Sequence, residues 1–247
     1  MSKLFIVIPA YNEEENIFTV ATEWHDIVVK TGVESRLLII DDGSKDDTYK
    51  VLTELGKRLP QLLPITKPNS GHGATILYGY NYALKQNADY IFQTDSDGQT
   101  SAEEFWQFWE QRDTFSVLIG YRNRREDGFS RIFVTKILKI ILWCIFRLNI
   151  TDANTPFRLM KTEILRKYIG QIPPEYNLTN VIIAVLFVKY NESVKFIPVS
   201  FKKRQGGVNS INLKKIVKIG IQALKDFIHI KNDLDKRDVV KVHSNEQ

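Results

Sequence analysis

Leu4–Ile8, Leu37–Ile40, Leu62–Ile65 and Tyr90–Thr94 are short apolar runs, and the stretches between them keep helical spacing. Glu14–Lys30 puts Ile17, Val20, Ala21, Trp24, Ile27 and Val28 on one side. Further helices are expected from about Asp47 to Leu59, ending before Pro60, and over Ala74–Lys85. No other feature constrains the fold as much. Short strands alternating with helices of roughly 10–15 residues build a parallel sheet covered on both faces. Ser101-Ala102-Glu103-Glu104 reads as a capping box before Phe105, Phe108 and Trp109, and Ser116–Tyr121 as a further strand. Ligands of such sheets bind beyond the carboxyl ends of the strands, so the turns leaving these runs are where chemistry is expected.

Three of those turns are acidic. The first run ends in Ile8-Pro9-Ala10-Tyr11-Asn12-Glu13-Glu14-Glu15-Asn16. Pro9 is expected to stop the ladder, Tyr11 offers a ring for stacking, and Glu13 can accept hydrogen bonds from a base or sugar. Glu14 and Glu15 are equally explained as acids favoured at a helix start. The second run ends in Ile40-Asp41-Asp42-Gly43-Ser44, where adjacent acids after a buried strand need partners. A ribose hydroxyl, a base N–H or a helix N-terminus would each serve. The third is Asp95-Ser96-Asp97-Gly98-Gln99. Two carboxylates one residue apart on a turn can face one hard cation, and oxygen ligands suit Mg²⁺ or Mn²⁺.

The second half differs in composition. The net charge of +5 divides into −5 over residues 1–100 and +10 over 101–247. A basic half suggests an anionic partner: nucleic acid, a membrane surface or a phosphorylated acceptor. Ile132–Phe146 combines large apolar residues with Lys136 and Lys139, and Ile211–Ile230 reads as an amphipathic helix carrying Lys214, Lys215, Lys218 and Lys225. Thr162–Tyr168 and Leu178–Val188 read as helices and Val194–Val199 as a strand; a loose polar tail is expected over 231–247. No stretch offers 18 largely uncharged apolar residues, so no transmembrane helix is expected. No signal-peptide pattern precedes the first strand. The lone Cys144 excludes an internal disulfide and a C-x-x-C metal site and fits a reducing compartment. The four histidines are scattered; only His72, in a Gly-rich loop, is of interest as a site residue. Trp106 and Trp109 are expected in the core, and the sequons at Asn177 and Asn191 are read as chance.

Together, Ile-Pro-Ala-Tyr-Asn-Glu-Glu, Asp-Asp-Gly-Ser and Asp-x-Asp resemble the family 2 inverting glycosyltransferases of GT-A fold. Asn69-Ser70-Gly71-His72-Gly73 is similar to that family's N-x-G-x-x-x-A loop, and Gly120-Tyr121-Arg122 to its G-S-R. Asp152-Ala153-Asn154-Thr155-Pro156-Phe157-Arg158 resembles the D-x-x-S-G-F-R turn of the polyprenyl-phosphate sugar transferases, of dolichyl-phosphate mannose synthase type. Arg204-Gln205-Gly206-Gly207-Val208-Asn209-Ser210 resembles their R-x-x-G-x-S segment. Tyr121 stands in place of Ser and Pro156 in place of Gly, which leaves the sugar open. The likeness covers roughly residues 3–225.

The resemblance implies a GT-A nucleotide-sugar-binding fold: a mostly parallel central sheet flanked by helices, with C-terminal amphipathic helices. It implies one domain over 1–230, with a nucleotide-binding half, 1–120, and an acceptor half, 121–230. Pro9, Tyr11, Glu13, Ile40 and Asp42 would hold the nucleoside, with Asp95 and Ser96 also at the nucleotide sugar. Asp95, Asp97 and Gln99 would place Mg²⁺ or Mn²⁺ under the diphosphate. Asp97 would be catalytic together with Arg122, Arg131 and Arg204, which would meet the acceptor phosphate and donor diphosphate through bidentate guanidinium contacts. The donor would be a UDP- or GDP-sugar and the acceptor a polyprenyl phosphate, handled by a peripheral protein on the cytoplasmic membrane face. A small membrane-anchoring protein is a further expected partner. Neither a Glu-Asp base pair nor Q-x-x-R-W follows residue 100 in the expected context, and a phosphate acceptor needs no base. Transfer to a glycan hydroxyl stays open as a second enzymatic reading, a regulatory pseudoenzyme as a third, and a basic nucleic-acid-binding module as a non-enzymatic one. The last lacks any recognised nucleic-acid motif, so no nucleic-acid partner is expected.

Overall fold

The structure is a computed structural model that describes the backbone of residues 2–122, 129–202 and 213–244, and the side chains of 2–122, 135–202 and 222–236. Two compact units form: 1–128 with 151–207, and 129–150 with 208–247.

The first unit contains strands β1 (Leu4–Ala10), β2 (Arg36–Asp41), β3 (Leu62–Thr66), β4 (Tyr90–Gln93), β5 (Val117–Arg122), β6 (Arg158–Lys161) and β7 (Val194–Val199). Its helices are α1 (Ile17–Thr31), α2 (Thr48–Gly56), α3 (His72–Lys85), α4 (Trp106–Trp109), α6 (Thr162–Ile169) and α7 (Thr179–Lys189); α5 (Phe129–Phe146) and α8 (Leu213–Ser244) make the second unit. The strands form one sheet in the order β3-β2-β1-β4-β6-β5-β7. All its pairings are parallel except those of β6, which runs antiparallel to both β4 and β5. This is the mostly parallel, helix-flanked α/β sheet that the resemblance implies.

β1 is the hub. Every residue in it is buried, as a strand covered on both faces should be. Trp24, Phe92, Phe105 and Phe157 pack as tilted or edge-on rings with centroids 4.7–6.4 Å apart. On the other face a Cβ on Gly79 of α3 would come within 2.4 Å of Val7 Cγ1, so glycine lets α3 approach β1. Trp109 stacks on Phe105 at 5.6 Å; it and Trp106 are partly buried and pack against the core rather than within it.

Several local expectations are corrected. Pro9 does not stop the ladder: β1 runs through it, with Pro9 opposite Ile40. On the other side β4 pairs only with Leu4–Val7, closed by the Thr94 N–H to the Val7 carbonyl. Alternate residues of a strand face the same neighbour, so the missing Pro9 N–H lies where β4 has already diverged. Ser101 makes no side-chain cap; Glu104 instead accepts the Ser200 N–H at 3.0 Å, tying the segment to the end of β7. α1 begins at Ile17 rather than Glu14, because Glu14 is engaged with another helix. β6 carries no strand signal in its sequence: Arg158-Leu159-Met160-Lys161 has only two apolar residues between two cations.

In the second unit α5 packs on α8, with the Phe146 and Phe227 rings 6.1 Å apart and edge-on. α8 does not stop near Ile230 but continues to Ser244. Three i,i+4 pairs support it as far as Asp235: Gln222 with Asp226, His229 with Asp233 at 3.4 Å, and Lys231 with Asp235. Ile137, Ile140 and Trp143 on α5, and Leu224 and Ile228 on α8, are exposed. Among the described residues no helix is long and apolar enough to cross a membrane.

Candidate active site

The strand order reverses around β1, since β2 and β3 lie to one side and β4 to the other. Crevices open at such a point, beyond the carboxyl ends of the strands. The turns after β1, β2 and β4 meet there.

The first two turns are stitched together. The Asn12 N–H donates to Ser44 Oγ at 2.9 Å, and Asn12 Oδ1 accepts the Lys45 N–H at 2.8 Å. The Glu13 N–H donates to Thr48 Oγ1 at 2.8 Å. The Glu14 N–H reaches Asp46 at 3.2 Å, while Glu14 Oε2 accepts the Asp47 N–H at 3.0 Å. Asp46 also accepts the Thr48 N–H and hydroxyl; burial, which raises its pKa, is outweighed by these bonds, and the pKa is lowered. The Glu14 side chain therefore serves the start of α2 rather than of α1. Glu13 is buried and takes the Asn16 amide at 2.8 Å. Tyr11 remains 42% exposed beside it, a ring available to a ligand.

Asp41 and Asp42 are both buried and satisfied within the protein. Asp41 accepts the Thr66 hydroxyl at 2.7 Å and the Ser44 N–H at 3.2 Å. Asp42 takes the Ser70 and Gly71 N–H groups, each at 2.9 Å, and pairs with Lys67. Burial pushes the Asp42 pKa up, but these bonds and the Lys67 charge pull harder, and it is held below the usual carboxylate value. Neither acid caps α2. Asp42 instead shapes the loop leading into α3, while Asn69 Nδ2 donates to its carbonyl at 2.8 Å. Gly43, at φ +68°, belongs to the same construction: a Cβ there would meet the Asn69 nitrogen at 2.9 Å. Ile40, fully buried in β2, has no exposed surface.

The Asp95-Ser96-Asp97 turn is held at its base and less enclosed at its tip. Thr94 and Thr100 join hydroxyls at 2.8 Å beneath it, and Gly98 turns the chain at φ +68°. Asp97 accepts the Gln99 N–H at 3.1 Å. Gln99 is buried and bonded both ways to the Lys202 backbone, at 2.8 and 3.0 Å, so its amide ties the turn to the segment after β7. Ser96 is buried, whereas Asp95 and Asp97 are partly exposed. Two accessible carboxylates one residue apart are a donor set suited to Mg²⁺ or Mn²⁺, which keep water and phosphate oxygens as their other ligands. Among the described residues no group of three or more His, Cys, Asp or Glu side chains gathers as a complete metal cage.

His72, the first residue of α3, places Nε2 3.0 Å from Asp95 Oδ1. Burial lowers the imidazole pKa, but Asp95, Asp97 and Asp42 outweigh it and the pKa is raised. The side chain is half exposed, so solvent moderates both contributions. The contact joins residues 23 apart in sequence, which no local pattern reveals.

The arginines divide. Arg122, at the end of β5, lies over the Phe201 ring at 4.2 Å. Arg158 is fully buried and donates to the carbonyls of Ala153, Thr155 and Asn180, so the arginine of the Asp152–Arg158 turn is structural. Burial lowers its pKa, against the opposing pull of Tyr80, Asp152 and Asp95. The side chain of Arg131 and all of Arg204 lie outside the described residues, as do the side chains of Lys214, Lys215 and Lys218.

This sheet, with its acidic turns at the strand ends, defines an α/β class of protein, and comparison with known proteins gives it a family. Residues 5–169 match the model of glycosyl transferase family 2, and the chain belongs to that family. It is similar to the polyprenol monophosphomannose synthase of Mycolicibacterium smegmatis, at 23% identity over 85% of this chain and 81% of the relative. It is also similar to a UDP-N-acetylglucosamine--dolichyl-phosphate N-acetylglucosaminyltransferase of Methanococcus voltae, at 25% identity over 68% and 73%. Among solved structures it resembles glucosyl-3-phosphoglycerate synthase from Mycobacterium tuberculosis, in complex with Mn²⁺, uridine-diphosphate and phosphoglyceric acid. That likeness has a TM-score of 0.68 at 15% identity, covering 93% of this chain and 78% of the other. The protein is a glycosyltransferase of GT-A fold.

Proposed function

We propose that this glycosyltransferase moves a sugar from a UDP- or GDP-sugar to a polyprenyl phosphate with inversion at the anomeric carbon. The observation that carries the reading is the Asp95/Asp97 turn at the sheet's reversal point, facing the turns that end in Tyr11 and Asp42. The two relatives named for transfer to lipid phosphates support the acceptor class.

The nucleoside stacks on Tyr11 and lies along Pro9 and Glu13, while Asp42 acts through the loop it holds. Asp95 and Asp97 would hold Mg²⁺ or Mn²⁺, which when bound neutralises the leaving diphosphate. An oxygen of the lipid phosphate forms the new bond to the anomeric carbon. The bond to the nucleoside diphosphate breaks, and its electron pair leaves with the diphosphate. The acceptor is already an anion, so no side chain need remove a proton from it. Arg122, with Arg131 and Arg204, offsets repulsion between the two anionic reactants.

The lipid acceptor requires access to a membrane surface. Ile137, Ile140 and Trp143 form an exposed apolar stripe on α5, as interfacial helices do. The protein docks peripherally on the cytoplasmic face, directly or through a small anchoring protein.

The test incubates the protein with a panel of UDP- and GDP-sugars, Mn²⁺ or Mg²⁺, and either polyprenyl phosphate or the dephosphorylated polyprenol. The expected product is a lipid-phosphate sugar of inverted configuration, formed only with the phosphate. Transfer solely to a glycan hydroxyl would replace this reading. In a parallel arm, exchanging Lys214, Lys215 and Lys218 for Glu should release the protein from anionic liposomes, since each basic residue near such a surface contributes about 1 kcal/mol. Unchanged binding would assign the anchor to a partner.

A further inference from the structure

The contact between His72 and Asp95 joins two separately anchored pieces of backbone. On one side, the loop before α3 is fixed at several points. Ser70 and Gly71 donate to Asp42, and Thr179 Oγ1 donates to the Gly73 carbonyl at 2.9 Å. Gly73 lies so close to the 176–177 backbone that a Cβ would come within 2.3 Å of the Tyr176 carbonyl. The origin of the imidazole is thus set by tertiary packing. On the other side, Thr94 is tied to Val7 by its N–H and to Thr100 by its hydroxyl, which sets the origin of Asp95.

An ion pair between two freely moving, half-exposed side chains would contribute little. Here neither backbone is free to drift, so the 3.0 Å contact acts on orientation. It occupies Asp95 Oδ1. Partners that grip a metal ligand from behind commonly contribute about 10–100-fold to metal affinity.

We propose that His72 is a positioning residue for Asp95, donating from Nε2 to Oδ1 so that the carboxylate is presented to the divalent cation. The proposal rests on the metal role given above to Asp95 and Asp97. It also gives Asp42 a part at a distance, since Asp42 holds the loop from which His72 projects.

Mn²⁺ is titrated into the full chain in the presence of UDP and, separately, GDP, with free Mn²⁺ followed by electron paramagnetic resonance. His72→Leu should weaken Mn²⁺ binding about tenfold, and His72→Gln, whose amide can still donate, should recover most of that loss. Binding of the nucleotide without metal should be the same in both variants. Circular dichroism checks folding, and His72→Met replaces the leucine variant if that one does not fold. Wild-type Mn²⁺ affinity in the leucine variant, while Asp97→Ala abolishes binding, would overturn the positioning role and leave the metal reading standing. A glutamine variant as weak as the leucine variant would also overturn it. No Mn²⁺ binding by the unaltered protein with either nucleotide would overturn the metal reading and this proposal with it.

Discussion

Asp42 and Asp97 both follow an apolar strand of one sheet, yet the fold treats them in opposite ways. Asp42 is buried, accepts two backbone N–H groups and pairs with Lys67. Asp97 sits partly exposed on a glycine turn and accepts the Gln99 N–H. The same residue type is thus committed to structure at one strand end and kept accessible at another. The difference teaches that an acidic strand end in this fold is not by itself a ligand. How far it is enclosed depends on a loop that comes from elsewhere in the chain.

Four measurements would break or sharpen that contrast. Asp42→Ala should have the largest effect, on stability. It removes the carboxylate that pairs with Lys67 and accepts two N–H groups; Lys67 keeps the Ser70 hydroxyl at 2.6 Å and the Pro68 carbonyl at 3.2 Å, so the expected cost is about 3 kcal/mol, the lower end for breaking a buried pair. Urea unfolding of the variant should show it, and an unchanged midpoint would mean the loop holds without its aspartate. Asp97→Asn should do the reverse. Transfer should fall about 100-fold or more while the unfolding midpoint stays, because charge stabilisation of the leaving diphosphate is lost and little packing is.

The third concerns pH. The Asp42 pKa is lower in the folded protein than its ordinary value of 3.8. A depressed folded pKa means the unfolded chain binds the proton first, so the stabilisation is present above that ordinary value and is lost as pH falls through the folded one. Asp42→Asn should remove this part of the acid slope, and a slope unchanged between pH 5 and acid unfolding would assign it to other carboxylates. The smallest effect is expected from Ser44→Ala. It deletes one exposed stitch between the first two turns, the Asn12 N–H to Ser44 contact, at about 0.5–1 kcal/mol. A loss several times larger would show that the two turns form one cooperative unit.

Much of the fold was legible because its signals are local. Period-2 and period-3.6 apolar patterns depend on neighbouring residues, so β1 to β5, β7 and α1 to α3 fall close to their expected positions. β6 was not legible. Arg158 becomes a strand residue only because β4 and β5 lie on either side to pair with it, and its charge is tolerated only because three carbonyls converge on it. The end of α8 is hidden for a related reason: its polar stretch has little apolar period, and the i,i+4 contacts of His229 with Asp233 and Lys231 with Asp235 at its start leave no apolar pattern to read.

The same division runs through the site. By itself the sequence determined the α/β class, the carboxyl-end turns on which the chemistry would sit, and the cation-suited spacing of Asp95 and Asp97. All of these follow from residues a few positions apart. Only the tertiary structure decided which acids are enclosed and which stay accessible. It closed Asp42 with a loop 25–29 residues away, tied Gln99 to a backbone 103 residues away, and set His72 beside Asp95. A hydrogen bond's partner is chosen by where the packed sheet and helices bring distant backbone together, and no local pattern of residues encodes that meeting.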